Sequence, residues 1–174
     1  SFEKVFIFNS SLRFNLVSRL ANIKKIYQYP LFKKREQHIT GAAKKLIKEN
    51  LSIDVNENPV IQIDESLVEK TSKKLNIRQD ELNILLGIGG SGPTKRIPAK
   101  TILAFMKKIK NFKKCKFFLA TGKNEGEQKI LEEILDTEFK DQCFPLDNYS
   151  IYNTLPIIKN CNVAVCNDTS FSHL

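Results

Sequence analysis

Apolar and polar positions along the chain switch repeatedly between a period of about two and a period of about 3.6. Lys4–Asn9 is a short β-prone run, followed by Ser10-Ser11 as helix caps and by Leu12, Leu16, Val17 and Leu20 at helical spacing. Lys25–Tyr29 reads as a second strand, and a helix is expected from His38 or Thr40 to Glu49. Asn56–Pro59 is turn-rich and reads as a linker. Beyond it, Val60–Ile63 is expected to be a short strand and Leu67–Leu75 a helix. Asn83–Ile88 (NILLGI) reads by composition as a fully buried strand ending in the loop Gly89–Pro93. From there helices (Ala99–Lys110, Glu125–Leu135, Ile151–Lys159) alternate with strands (Lys116–Thr121, Gln142–Phe144, Asn162–Cys166).

Strands separated by helices of about ten residues predict an α/β fold, a parallel sheet with helices on both faces. The chain opens on a strand and stops soon after another. It is therefore expected to be an internal piece of a longer protein, with the end of one α/β domain in residues 1–56 and most of a second in 57–174. A chain of 174 residues, 41% hydrophobic and 27% charged, is that of a packed protein, which excludes collagen-like and wholly disordered classes. The longest stretch free of Lys, Arg, Asp and Glu is Leu82–Thr94, too short and too glycine-rich for a membrane span. Four cysteines lie in the last third with no C-x-x-C pair and only two histidines in the chain. That is the pattern of reduced, buried thiols rather than of a zinc site or a disulfide framework.

The net charge of +9 is unevenly spread. Residues 95–123 carry ten basic side chains and no acidic one, and 125–138 then reverse the sign with six acids and one Lys. Such a surface draws polyanions: nucleic acid, anionic lipid or a phosphorylated substrate. A solvated Lys-rich helix face explains it equally well.

Gly87-Ile88-Gly89-Gly90-Ser91-Gly92 fits G-x-G-x-x-G directly after a strand, the start of a dinucleotide fingerprint. No helix follows at once, however, and the next strand ends at Thr121-Gly122-Lys123 with no acid for a ribose diol. Pro93 stands where a P-loop would have its Lys. What remains is a glycine turn whose N–H groups can face an anion, with Lys95 and Arg96 beside it, or simply a tight turn. Asn167-Asp168-Thr169-Ser170-Phe171-Ser172-His173 follows a strand at the same sheet edge, where open α/β sheets bind ligands. It also reads as an ordinary helix cap. Gly122-Lys123-Asn124-Glu125 closes a third strand there, with Glu125 either a sugar or ribose ligand or a favourable anion in a helix's first turn.

In order and spacing, these loops resemble the bacterial heptosyltransferases, glycosyltransferase family nine. The matching residues are Ile84–Gly87 through Lys95-Arg96-Ile97-Pro98, Thr121-Gly122-x-x-Glu125, and Asn160-Cys161 through Asn167-Asp168-Thr169-x-x-x-His173-Leu174. Two positions depart from the family pattern: Ile97 replaces the Trp of K-x-W-P, and Ser170 the Gly of D-[ST]-G. The resemblance implies a GT-B type fold of Rossmann-like domains, with 1–56 the end of the acceptor side and 57–174 the nucleotide-sugar side. It implies an inverting transferase moving a heptose from a nucleotide diphosphate, ADP-heptose, to a lipopolysaccharide core or lipid A type acceptor, with neither metal nor other cofactor. Lys95 would stabilise the diphosphate. Gly90, Ser91, Thr169 and Ser170 would line it, Asp168 and His173 would hold the sugar–diphosphate region, Glu125 the ribose or sugar, and Tyr149 the base. The catalytic base would precede Ser1. The setting would be cytoplasmic, with peripheral contact to the anionic inner face of the inner membrane.

The rival is a non-catalytic basic Rossmann-like module that binds nucleotide or nucleic acid. Against it, Phe105, Phe112, Phe117 and Phe118 fall largely at core-facing spacing, leaving few aromatic rings for base stacking. No nucleic-acid partner is expected.

Overall fold

All six helices expected from the pattern form, and five of them begin at a side chain that accepts one of the first free N–H groups. The computed structural model describes residues 2–29, 38–56, 60–90, 92–167, 169–172 and 174. Three of the singled-out residues, Ser91, Asp168 and His173, lie outside the described residues, as does the basic loop at 33–35. The chain divides into two compact units, Ser1–Val60 and Ile61–Leu174.

In the first unit β1 (Lys4–Ile7) and β2 (Lys25–Gln28) pair in parallel, with Val5 opposite Ile26, and α1 (Leu12–Leu20) connects them. Ser11 caps α1 through the Arg13 N–H. The Gln28 amide ties the strand end to this cap by donating to the carbonyls of Asn9 and Ser11, both at 2.9 Å. α2 (Ile39–Leu51) follows. Ile7, Tyr29 and Leu46 are buried here, while Leu12, Leu16, Val17 and Leu20 on α1 are all more than half exposed.

The second unit starts with α3 (Glu65–Lys74), capped by Asp64. Val60–Ile63 forms no strand; Val60 and Ile61 stay exposed, since no neighbouring strand offers the ladder an isolated strand needs. Then come β3 (Leu82–Gly87), α4 (Ala99–Lys110), β4 (Cys115–Ala120), α5 (Glu125–Leu135), β5 (Cys143–Pro145), α6 (Ile151–Lys159) and β6 (Val163–Cys166). The strands form one parallel sheet in the order β5-β4-β3-β6.

The period-two alternation of the central strands decides what each side of the sheet packs against. Ile84, Leu86 and Ile88 join Phe117 and Leu119 in one core with Ala99, Ile102 and Met106 of α4 and Leu131 and Ile134 of α5. Leu85, Phe118 and Ala120 face the other way, onto Ile77, Leu146 and Ile157 of α6. Phe117, Phe118 and Phe139 are wholly buried, each worth ~1.5–3 kcal/mol by area. These helices on both faces make the fold the expected α/β one.

Cys115 is buried, and Cys143, Cys161 and Cys166 are half-buried free thiols. Burial pushes the thiols of Cys143 and Cys161 up to about 12. One aromatic expectation fails: Phe112 turns out of the core and is 86% exposed. It follows the last turn of α4, where the chain reverses into β4 and helical spacing no longer dictates a face.

Candidate functional site

Because the four strands are parallel, the loops after β3, β4, β5 and β6 all emerge at one edge of the sheet. There they enclose a cleft of about 700 Å³. Gly89 and Gly90 come from the loop after β3, Thr121 and Gly122 from the loop after β4, and Leu146, Asp147 and Tyr149 from the segment after β5. Thr169, Ser170 and Phe171 follow β6. The two outer contributions are tied to the centre: Asn167 donates its amide to the Gly89 carbonyl at 3.0 Å, and the Leu146 N–H bonds the Leu119 carbonyl at 2.9 Å.

No described glycine in this edge has positive φ, and at Gly87 and Gly90 the requirement is space. A Cβ on Gly90 would stand 2.8 Å from the Lys95 carbonyl oxygen, so the loop closes on itself only without a side chain. At Gly87 it would stand 2.9 Å from the Cys166 sulfur, on the strand paired alongside. Around Gly92 nothing lies within 4 Å. The G-x-G-x-x-G spacing thus misidentifies its third member; Gly90 is the constrained residue.

Glu127 organises the cleft floor, a residue not singled out in the sequence. Asn124 caps α5 through the Glu127 N–H at 3.1 Å, the N-x-x-E register of a capping box. The Glu127 carboxylate reaches past its own cap. Oε2 accepts from the Gly122 N–H at 2.5 Å and the Thr121 hydroxyl at 3.2 Å, and Oε1 from the Gly90 N–H at 3.3 Å. Burial pushes this carboxyl up, but the hydrogen bonds from Gly122, Asn124, Gly90 and Thr121 outweigh it, and the net shift is downward. The charged form is the stable one. Arg96 lies across Gly126 with its Nε 3.9 Å from Oε1, beneath the loop rather than in the cleft. The capping-box register was the available signal for Glu127; what no local pattern shows is that the side chain leaves its own helix.

The expected donor set is therefore divided. Gly90, Tyr149, Thr169 and Ser170 converge on the cleft. The Gly90 N–H, expected to face a bound anion, instead serves Glu127, because a carboxylate within the same unit reaches it first. Glu125 is exposed in the first turn of α5, outside the described cleft lining. Lys95 ends a short 3-10 turn, with its backbone against Gly90, its residue exposed and its side chain also outside that lining. No full helix begins near Thr169 in the described residues; a single 3-10 turn, Ser170–Ser172, stands there.

The cleft lining combines two chemistries. Tyr149 packs edge-on against Phe144 at 5.7 Å, and with Leu146 and Phe171 it makes an apolar wall suited to a flat ring. In the loop after β6, the Thr169 Oγ1 is buried with no partner among the described residues, beside Ser170. A buried hydroxyl left unpaired costs stability unless something arrives to pair it.

No protein-family profile matches the chain. The lipopolysaccharide heptosyltransferase 1 of Campylobacter coli is 29% identical over 119 residues, which is 66% of this chain and 34% of that protein. Among solved structures, the glycosyl transferase family 9 protein of Veillonella parvula matches 98% of this chain and 53% of its own, at 13% identity and a TM-score of 0.71. The E. coli heptosyltransferase WaaC with ADP-2-deoxy-2-fluoro heptose matches 99% of this chain and 57% of its own, at 13% and 0.65. The E. coli ADP-heptose lipopolysaccharide heptosyltransferase II gives 19% and 0.61, over 98% and 58%. The chain is similar to the heptosyltransferases. The family resemblance read from the three loops thus meets an independent match in sequence and another in fold, and these relatives are glycosyltransferases. The chain spans about a third of the length of its curated heptosyltransferase relative and a little over half of the solved ones.

The basic stretch is partly consumed within the unit. Lys116 donates to the Leu75 and Asn76 carbonyls at the end of α3, Lys114 pairs with Glu81 at 2.7 Å, and Lys107 with Glu138 at 3.8 Å. These lysines belong to the amino edge of the sheet and the helix ends beside it, away from the cleft. Among the described residues no helix is long and apolar enough to cross a membrane.

Proposed function

We propose that residues 61–174 hold the nucleotide-diphosphate sugar of an inverting glycosyltransferase that moves a heptose to a lipopolysaccharide core or lipid A type acceptor at the cytoplasmic face of the membrane. The observation that carries this reading is the convergence of the loops after four parallel strands on one cleft, in a chain similar to heptosyltransferases. Solved neighbours hold ADP and an ADP-heptose analogue, which makes ADP-heptose the donor of this reading. The base lies against Tyr149 and Phe171, and the diphosphate near Thr169 and Ser170 with Lys95 supplying positive charge.

The reaction is a single displacement: the acceptor oxygen bonds to the anomeric carbon as the bond from that carbon to the diphosphate oxygen breaks. ADP leaves with the electron pair, and the acceptor proton passes to a base outside the residues assigned here. The binding unit's contribution is electrostatic, since charge grows on the leaving diphosphate and preorganised donors act where it grows.

Isothermal titration of the chain with ADP tests the reading directly. Saturable binding with one site per chain is expected, lost when Tyr149 and Phe171 are both replaced by Ala. A chain that ignores ADP yet binds single-stranded nucleic acid, with affinity falling steeply in salt, would instead be the rival binding module.

A further inference from the structure

Glu127 is 6% exposed, and its carboxylate is shared between two loops that come from adjacent strands. One oxygen serves Gly122 and Thr121 after β4; the other serves Gly90 after β3. The loops have closed tightly over it, with little room for a side chain on either glycine. A Cβ on Gly122 would lie 2.9 Å from Oε2, and one on Gly89 would lie 3.1 Å from the same oxygen. Arg96 on the far side offsets the buried charge through its 3.9 Å approach to Oε1. Every one of the three donors needs an acceptor at that point, and an amide of the same shape supplies only one. Its –NH₂ would face an N–H on one side or the other.

We propose that Glu127 is a positioning residue whose carboxylate sets the distance between the two glycine loops and thereby the cleft's affinity for nucleotide diphosphate. The proposal rests on the nucleotide-binding reading above, and it separates charge from bulk. If Glu127 mattered only as packing, Glu127→Gln, which keeps its volume, would be milder than Glu127→Asp, which loses a methylene. If the carboxylate sets the loops, Asp keeps more ADP affinity than Gln.

The experiment titrates ADP into the wild type, Glu127→Gln and Glu127→Asp well below their melting temperatures, with circular dichroism to establish folding. Amide hydrogen exchange at Gly90 and Gly122 is followed on the same samples. Glu127→Gln is expected to weaken ADP about tenfold or more, the scale of a hydrogen bond to a charged group. It should also speed exchange at both glycines by a similar factor, with Glu127→Asp intermediate. ADP affinity within about twofold of wild type in a folded Gln variant, or Gln retaining more affinity than Asp, overturns the proposal. Unchanged exchange at Gly90 and Gly122 overturns it as well, whatever ADP does. Should the Gln variant not fold, Gly122→Ala presses on the same oxygen from the other side and must weaken ADP likewise. A wild type that fails to bind ADP while Gln speeds exchange at both glycines removes the nucleotide reading and the affinity clause with it, leaving Glu127 as the tie between the loops.

Discussion

Gly90 and Gly92 sit two residues apart in one loop, yet their surroundings assign them opposite roles. A Cβ on Gly90 would stand 2.8 Å from the Lys95 carbonyl oxygen and 3.1 Å from its carbon, both backbone atoms that no rotamer change can move. Ordinary contact begins near 3.4 Å, so about 0.6 Å must come from shifting the loop. Overpacking of this kind costs ~1–3 kcal/mol. At roughly 3–4 °C per kcal/mol for a domain of this size, Gly90→Ala should melt ~3–12 °C below wild type. Because that loop is a wall of the cleft, ADP affinity should fall as well. Gly92 has nothing within 4 Å and no positive φ. Alanine there mainly narrows the unfolded chain, and the expected effect is between neutral and ~1 kcal/mol of stabilisation. Thermal melts of the two variants, with ADP titrations alongside, decide between space and motif. Were Gly92→Ala as damaging as Gly90→Ala, the clearance argument would fail and the G-x-G-x-x-G spacing would matter for itself.

Replacing Lys95 by Ala should weaken ADP by ~10- to 100-fold, the range for a hydrogen bond to a charged group. Neutralising Lys107, Lys108, Lys110, Lys113 and Lys114 together should change ADP affinity by less than about twofold. Most of α4 or the length of β4 separates them from the cleft edge, ~12–20 Å or more than one Debye length at physiological salt; the opposite ranking in a titration would sink the role given to Lys95. Thr169→Val removes a buried, unpartnered hydroxyl, so the unliganded protein should melt at the same temperature or higher while ADP binds more weakly. A lower melting temperature with unchanged affinity would mean that Thr169 is structural. Glu127 titrates below the usual 4.5 in the folded state, so its contribution is complete above that pH and is lost as the pH falls through the lower folded value. Urea unfolding between about pH 3 and 6 should therefore show a stability loss in the wild type that Glu127→Gln lacks; parallel curves for the two would contradict the shift.

The second unit was largely readable because its periods are unambiguous. The mostly apolar Asn83–Ile88 and Lys116–Thr121 are central strands, where both faces are buried, and the predicted and observed bounds differ by a residue or so. Val60–Ile63 has the same local composition as a strand but no partner, and pairing is a tertiary property that a four-residue window does not contain. At the site, position after a strand was enough to bring Gly90, Tyr149, Thr169 and Ser170 together. Choosing between Glu125 and Glu127 was a different matter. Both stand in the first turn of α5, and only the inward turn of the helix decides that Glu127 is buried under the loops while Glu125 faces solvent. Likewise, nothing in the pentad around Phe112 shows that its ring leaves the core.

The strand order carries a consequence for how the unit is made. β3, β4 and β5 are laid side by side in the order of synthesis, but β6 returns to the open side of β3, and Asn167 bonds the Gly89 carbonyl across 78 residues. Until that last strand docks, the earlier three hold an unfinished edge, with the Thr169–Phe171 part of the cleft wall absent. A ligand of the cleft can therefore add its binding energy only to a chain that has closed back onto its first strand. Occupancy reports completion: a nascent or clipped unit, however well its first three strands are paired, gains no protection from the ligand.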